Sequence, residues 1–266
     1  MTIDDLLACM KIIGKDTIQR TQLIHRLSLV EAFQVSPGMK VLEIGCGQGD
    51  TTVALAAAVG EGGHVTSIDI APADYGEPIT LGEATETISR SILGNRISFH
   101  LQTDLLDLPE QQYDVAVLSH CSWYFRDPEQ LLTYFCKLRR MAKRICVAEW
   151  DLYDINQGNY THFAAVTILA LYSEFVNNTG NIQHLFDRTQ LQQYLQKAGW
   201  EKITVHTVDA HYLQDGAWET DYANYIREEF QNTSTRVQAL LNNFYAHLET
   251  DIINSLNSVV LIAGKD

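Results

Sequence analysis

With 266 residues, 46% apolar and 20% charged, the chain has the make-up of a folded globular protein and can bury a large core without disulfide staples. Its net charge of −14 weighs against nucleic acid, which is bound through clustered Lys and Arg, and against anionic membrane surfaces as partners. Five cysteines with neither C-x-x-C nor metal-ligand spacing read as reduced core thiols, so a reducing, cytoplasmic setting and no metal are expected.

The N-terminus carries Asp4 and Asp5 where a secretory signal has Lys or Arg, so no signal peptide is expected. Residues 1–36 read as a helical leader of one or two helices. Ile18, Leu23, Ile24, Leu27, Leu29, Val30 and Phe33 supply its apolar stripe, and Pro37-Gly38 ends it. Such leaders close over ligands, so Arg20, His25 and Arg26 are candidates to face a pocket, with solvated charge as the alternative for all three.

Val41 to Thr52, VLEIGCGQGDTT, is the stretch on which the rest is organised. An apolar strand carrying Glu43 breaks into Gly45, Gly47 and Gly49 and resumes as a helical pattern. Alternate glycines let the backbone turn sharply and let a ligand lie against bare main chain, while the helix start offers unpaired N–H groups. A dinucleotide fingerprint needs its third glycine at position 50, which is Asp50. The spacing here is G-x-G-x-G, and the acid suits a zwitterionic ligand end better than a pyrophosphate. A glycine-rich turn with no ligand is the plainer reading.

A second strand, His64 to Ile70, ends in Asp69. After the broken stretch 71–79 come a helix from about Gly82 to Leu93 and a third strand, Ile97 to Thr103, ending at Asp104. Tyr113 to Ser119 is a fourth strand, Asp127-Pro128 opens a helix to about Met141, and Arg144 to Trp150 is a fifth strand. This alternation implies right-handed βαβ units in a parallel sheet. Then come a helical insert, Tyr160 to Val176, closed by Asn177-Asn178-Thr179-Gly180; a helix, Thr189 to Ala198; a sixth strand, Glu201 to Asp209; two helical patterns between Leu213 and Asn254; and a last strand, Ser258 to Ala263.

Ligands of open parallel sheets bind at the carboxyl ends of the strands, which singles out the glycine turn, Asp69, Asp104 and Ser119-His120. Asp69 can accept two hydrogen bonds from a ribose diol or serve as a turn acid.

The E-x-G-x-G-x-G run after a hydrophobic strand resembles motif I of the class I methyltransferases that use S-adenosylmethionine (SAM) and release S-adenosylhomocysteine. Within them the core is similar to the small-molecule branch of ubiquinone-biosynthesis-like and cyclopropane-fatty-acid-synthase-like enzymes. The resemblance covers about residues 38–155 and implies an α/β three-layer Rossmann-like sandwich, with a mostly parallel seven-stranded sheet and added helices. It implies one domain over 1–266, with leader 1–36, SAM-binding core 38–155, and inserts 156–186 and 213–254 as lid or homodimer surface. It implies a cofactor site of Glu43, Gly45, Cys46, Gly47, Gly49, Asp69, Ile70, Thr103, Asp104, Leu105 and His120, in which Glu43 supports the turn and Asp104 accepts from the adenine amine, with Asp107 as the alternative acid. The expected reaction is in-line methyl transfer to a small molecule, His120 being the candidate general base or a hydrogen-bonding or packing residue. Trp123, Tyr124, His25 and Trp150 are the candidate acceptor wall, with ordinary core as the alternative for the aromatics. Other readings are a SAM-fold cyclase or aminopropyl transferase, a non-catalytic SAM-binding scaffold, and a nicotinamide oxidoreductase, the last disfavoured by the glycine spacing.

Overall fold

In a computed structural model, which describes residues 1–178, 180–249 and 253–265, the chain runs as expected from a helical leader into a βαβ core. The leader is α1 (Ile3–Leu7) and α2 (Thr17–Ala32). The core follows as β1 (Lys40–Ile44), α3 (Asp50–Val59), β2 (His64–Ile68), α4 (Leu81–Ser89), β3 (Ile97–His100), β4 (Tyr113–Ser119), α5 (Pro128–Met141) and β5 (Ala142–Trp150). Then come α6 (Tyr160–Phe175), α7 (Arg188–Lys197), β6 (Glu201–Val208), α8 (Asp215–Tyr225), α9 (Thr235–Ala246) and β7 (Ser258–Gly264). Thr179 of the expected breaker and residues 250–252 of the last helical pattern lie outside the described residues.

The strands form one seven-stranded sheet in the order β3-β2-β1-β4-β5-β7-β6. The pairs from β3 to β5 are parallel, whereas β7 runs antiparallel between β5 and β6. Reversal has a consequence for the site. Because β7 runs backwards, its first residue, Ser258, lies opposite Trp150 at the carboxyl edge of the parallel strands.

Local chemistry sets the helix ends. Thr80 and Glu83 form a reciprocal cap on α4, and Asp187 and Gln190 one on α7. Pro128 occupies the first turn of α5, and the Asp127 carboxylate accepts from the Glu129 amide at 3.0 Å. Several elements end before their sequence pattern does, β2 at Ile68 among them. The α4 helix stops at Ser89, and the Ser91 hydroxyl donates to the Ile88 carbonyl at 2.7 Å just beyond it. Strand β3 pairs only to His100, because Gln102 then adopts a left-handed φ of 51° and turns the chain.

The inner strands β1, β2, β4, β5 and β7 are buried on both faces, as a sheet covered by helices requires, whereas the edge strand β6 is largely exposed. Leu42, Ile44, Ala116, Leu118, Ile145 and Val147 join the core formed with α5, α6 and α7, while Val41, Val115, Val117, Cys146 and Ala148 join the opposite core under α2 and α3. This period-two split is the alternation of side chains along a strand. Of the leader stripe, Leu23, Leu29, Val30 and Phe33 are buried, whereas Ile18 and Ile24 are exposed.

Trp200, buried after α7, fastens the end of that helix to α5 by donating its Nε1–H to the Phe135 carbonyl at 3.1 Å. Trp200→Ala is therefore expected to cost about 3–5 kcal/mol. Urea unfolding should show a lower midpoint with an unchanged slope.

Candidate functional site

The end of β1 is fixed from beneath. Glu43 is buried, and its Oε2 accepts from Thr52 Oγ1 at 2.5 Å on α3 and from Ser67 Oγ at 2.7 Å on β2. Burial pushes the Glu43 carboxyl up to about 7, with the two hydroxyls opposing the rise. From the side, Asp69 Oδ2 accepts from the Gly47 amide at 2.8 Å and Oδ1 from the Ala71 amide at 2.9 Å. The turn is also closed by the Gly45 and Cys46 amides, both of which donate to the Ile68 carbonyl.

Two of the glycines are required for different reasons. At Gly49, with φ of 91°, a Cβ would come within 2.5 Å of Ile88 Cδ1, so the turn packs against α4. At Gly47, with φ of 52°, a Cβ would meet nothing within 4 Å. Its open side is therefore a cradle that a side chain would fill.

Over this turn lies a cleft of about 500 Å³. It brings together Gly45, Cys46, Gly47, Asp69, Ile70, Thr103, Leu105 and His120 of the expected cofactor set, and Tyr124 of the expected acceptor wall. Cys46 is a small buried filler whose thiol is pushed far up by burial, which keeps it protonated and unreactive. Ser119 Oγ, also on the wall, is buried without a partner among the described residues. Such an atom is normally satisfied by a ligand or water.

Other expected residues lie elsewhere. Glu43 is beneath the turn rather than on the wall. Asp104 caps the short helical turn that follows it: Oδ1 accepts from the Leu106 amide and from Tyr134 Oη, both at 2.7 Å. Trp123 is buried, donating its Nε1–H to the Phe186 carbonyl at 3.1 Å. His25 and Trp150 are buried behind His120 and not on the cleft wall.

His120 has a left-handed φ of 50°, a strained conformation of the kind that collects at functional sites. Its ring nitrogens both face protein. Nε2 lies 3.0 Å from Ser258 Oγ, which lies 3.0 Å from His25 Nε2. Nδ1 is 3.4 Å from Glu149 Oε1, and the ring tilts against Trp150 at 4.4 Å. Glu149 is itself held by the Ser122 amide and hydroxyl and by the Trp150 amide. Burial lowers His25 to about 2, so it is neutral.

Sequence reasoning did not assign Tyr75, Tyr134, Gln130 and Phe125 to the cleft, nor did it favour Arg26 for it. Tyr75 comes from the broken stretch 71–79, where no periodicity points to a face. Arg26 was one of three leader candidates, and only the packing of α2 distinguishes it from Arg20, which pairs with Asp4 and Asp16 instead.

The family model described as "Methyltransferase domain" matches residues 17–205. A crystal structure of a cyclopropane-fatty-acyl-phospholipid synthase-like protein from Lactobacillus casei ATCC 334 superposes with a TM-score of 0.90 at 33% identity, covering 98% of each chain. Methyltransferase phomM of Diaporthe leptostromiformis is 32% identical over 134 residues, 42% of this chain and 35% of that protein, so the chain matches about a third of its length. The ubiquinone/menaquinone biosynthesis C-methyltransferase UbiE of Vibrio vulnificus (strain YJ016) is 23% identical over 197 residues, 70% of this chain and 74% of that protein.

Glu43 yields a pH prediction. Its folded pKa of about 7 lies above the ordinary 4.5, so the folded state binds more protons between these values. The group's contribution to stability must fall as pH rises from about 4.5 to 7. Glu43→Gln keeps a hydrogen-bond acceptor without the charge. Relative to wild type, its unfolding free energy should gain on the order of 3 kcal/mol between pH 4.5 and 8, measured by urea titration at each pH.

Proposed function

The chain belongs to the methyltransferase-domain family, and from that premise we propose that it methylates a small-molecule acceptor with SAM as cofactor. The observation that carries the reading is the cradle at Gly47, open on its ligand side and held in place by Asp69. Bound there, the cofactor supplies an electrophilic sulfonium methyl for in-line displacement.

The chain's own residues then have separable tasks. The amides of the glycine turn hold the methionine end, and Glu43 acts from below by fixing the turn. Asp69 accepts from the ribose hydroxyls with lone pairs left over from its two amide bonds. Ile70, Thr103 and Leu105 flank the adenine, with Asp104 accepting from its exocyclic amine through Oδ2, since Oδ1 is already engaged. Holding donor and acceptor in line and excluding water are the main catalytic contributions.

His120 lies at the end of β4, where the methyl would face. Its role as a base carries a condition, since Nε2 takes the acceptor's proton only by exchanging its Ser258 bond. Tyr124, 52% exposed, and Tyr75, 47% exposed, give the outer wall of the acceptor site. A phenol is protonated at neutral pH, so Tyr124 can donate a hydrogen bond there. Trp123, Trp150 and His25 support this wall from behind.

We place the protein in the cytoplasm, with neither nucleic acid nor a membrane as partner. Its acidic charge and five free thiols support this. Among the described residues no helix is long and apolar enough to cross a membrane. We assign the leader and the inserts over 156–186 and 213–254 to the same domain as the core; of these segments Arg26 of the leader lines the cleft. The half-exposed Trp218 and the exposed Tyr225 on α8 favour a homodimer surface as a second role for the later insert.

Titration calorimetry should detect S-adenosylhomocysteine and neither NAD nor NADP; the opposite pattern would overturn the cofactor. Gly47→Val fills the cradle and should abolish that binding while circular dichroism stays native. Asp69→Ala should weaken it by roughly 1.5–3 kcal/mol, the scale of a charge-assisted hydrogen bond. Unchanged affinity would leave Asp69 as a turn residue alone.

A further inference from the structure

Between α6 and α8 lies a buried carboxylate that no cation balances. Glu219 of α8 is 8% exposed, and its Oε2 lies 2.5 Å from Nε2 of His162, a fully buried residue of α6. His162 does not supply the missing charge. Its Nδ1 accepts from the Leu256 amide at 2.7 Å, so the ring carries its one proton on Nε2 and is neutral. Glu219 Oε1 has only a long bond, from Asn181 Nδ2 at 3.4 Å, and among the described residues no Lys or Arg pairs with Glu219. An unbalanced buried carboxylate is costly, and a cation brought by a ligand relieves that cost.

Two short paths join Glu219 to the acceptor side of the cleft. Asn181 belongs to the segment whose Gln183 and His184 amides donate to the Trp123 carbonyl at 2.8 and 3.2 Å, and Tyr124, the next residue, lines the cleft. His162 packs edge-on against Trp150 at 5.1 Å, and Trp150 packs against His120 at 4.4 Å. Desolvation is the largest cause that raises the Tyr124 phenol, and the Glu219 charge adds to it, so the carboxylate acts on that wall. The half-exposed ring faces of Tyr75 and Tyr124 are also surfaces on which a cation rests favourably.

Among the described residues, none of the groups around His120 is free to take a proton. The His120 nitrogens face Ser258 and Glu149. The Glu149 carboxylate accepts from the Ser122, Trp123 and Trp150 amides and from the Ser122 hydroxyl. The Cys121 thiol donates to the Ile44 carbonyl at 3.2 Å, and burial keeps it protonated. An alcohol, a phenol or an acidic carbon would need a base here. A carboxylate or a thiolate would not, but it would bring a second anion towards Glu219. A neutral amine needs no base, because its lone pair is already bare, and it becomes a cation as it reacts.

Resting on the cofactor reading above, we propose that the acceptor is an amine that reacts as its free base, and that Glu219 faces the positive charge its nitrogen acquires. The nitrogen lone pair forms the N–C bond as the C–S bond breaks, and the electron pair of the broken bond stays on sulfur. Positive charge thus moves from sulfur to nitrogen, and an N–H proton leaves to solvent only after the methylated product has formed. The plain alternative is that Glu219 and His162 only tie α8 to α6.

The test incubates the full chain with SAM and two matched sets of probes, benzylamine, benzyl alcohol and benzoate, and butylamine, butanol and butyrate. S-adenosylhomocysteine is read by mass spectrometry. It should form with the amines and not with the alcohols or the acids. The rate should follow the free-base fraction, so the midpoint of the pH profile should fall when the less basic para-nitrobenzylamine replaces benzylamine. Glu219→Gln keeps an acceptor for the His162 Nε2–H but loses the charge. It should lower kcat/KM for the amines roughly 10- to 100-fold and leave S-adenosylhomocysteine affinity within about twofold. Glu219→Asp should recover part of the loss. Turnover of an alcohol or an acid in place of the amines, turnover of none of the probes, or a pH midpoint that does not move with the amine overturns the amine acceptor. Unchanged kcat/KM in Glu219→Gln, or an equal loss of S-adenosylhomocysteine affinity, means a structural role and overturns the part given to Glu219. Wild-type protein that does not bind S-adenosylhomocysteine by calorimetry would instead bring down the cofactor reading on which the proposal rests.

Discussion

Everything at the site depends on how tightly the turn after β1 is held. A loop of three glycines has high conformational entropy and would not by itself present a fixed surface. Here it is pinned from below, from the side and from behind. Glu43 ties β1 to α3 and β2 through Thr52 and Ser67. Asp69 brings the end of β2 onto the Gly47 amide. Gly49 lets the chain press against Ile88 and Phe99. A buried carboxylate whose pKa is displaced upwards is an expensive device, so its retention beneath the turn is a trade of stability for geometry. The open face at Gly47 is what that rigidity presents.

The reversed strand supplies a second constraint. Had β7 run parallel, its first residue would have lain at the far edge of the sheet. Running backwards, it brings Ser258 between His25 of the leader and His120 just after β4. One hydroxyl thus ties the leader helix, the sheet and the cleft wall together, and Glu149 and Trp150 close the other side of the imidazole. The left-handed φ at His120 is sustained by this surrounding set.

Much of the core was legible because parallel strands write themselves as short apolar runs, each followed by an acid or a glycine at the ligand edge. That is why Gly45, Gly47 and Asp69 could be placed on one edge from the strand pattern, while Thr103 and Leu105 followed only from the resemblance to the methyltransferases. The aromatics were less legible: Trp123 and Trp150 share a composition with Tyr124, and only packing separates buried supports from an exposed wall. Strand direction was legible only in part, since Ser258 to Ala263 reads as a buried strand in either sense. Arg26 could be named as a candidate but not singled out from its neighbours, for a different reason. A helix presents several cations, and which one turns inward depends on how α2 packs on α3, a long-range property that periodicity does not carry.

The distribution of charge around the cleft fits methyl transfer on the proposed reading. Positive charge on sulfur disappears as the methyl leaves, so a reacting end poor in fixed cations need not oppose the starting state, and one poor in fixed anions does not over-stabilise it. Arg26, Asp50 and Asp69 are the ionic groups of the wall, and on the proposed reading Asp69 meets the ribose. Behind the reacting end His25 is kept neutral by burial, and the one nearby acid, Glu149, is engaged by amides and a hydroxyl. Charge recognition and chemistry are thereby separated along the length of the cleft. A cleft so divided binds tightly at one end and leaves the other free to be shaped for its acceptor, which is where relatives of very different substrate could share one fold.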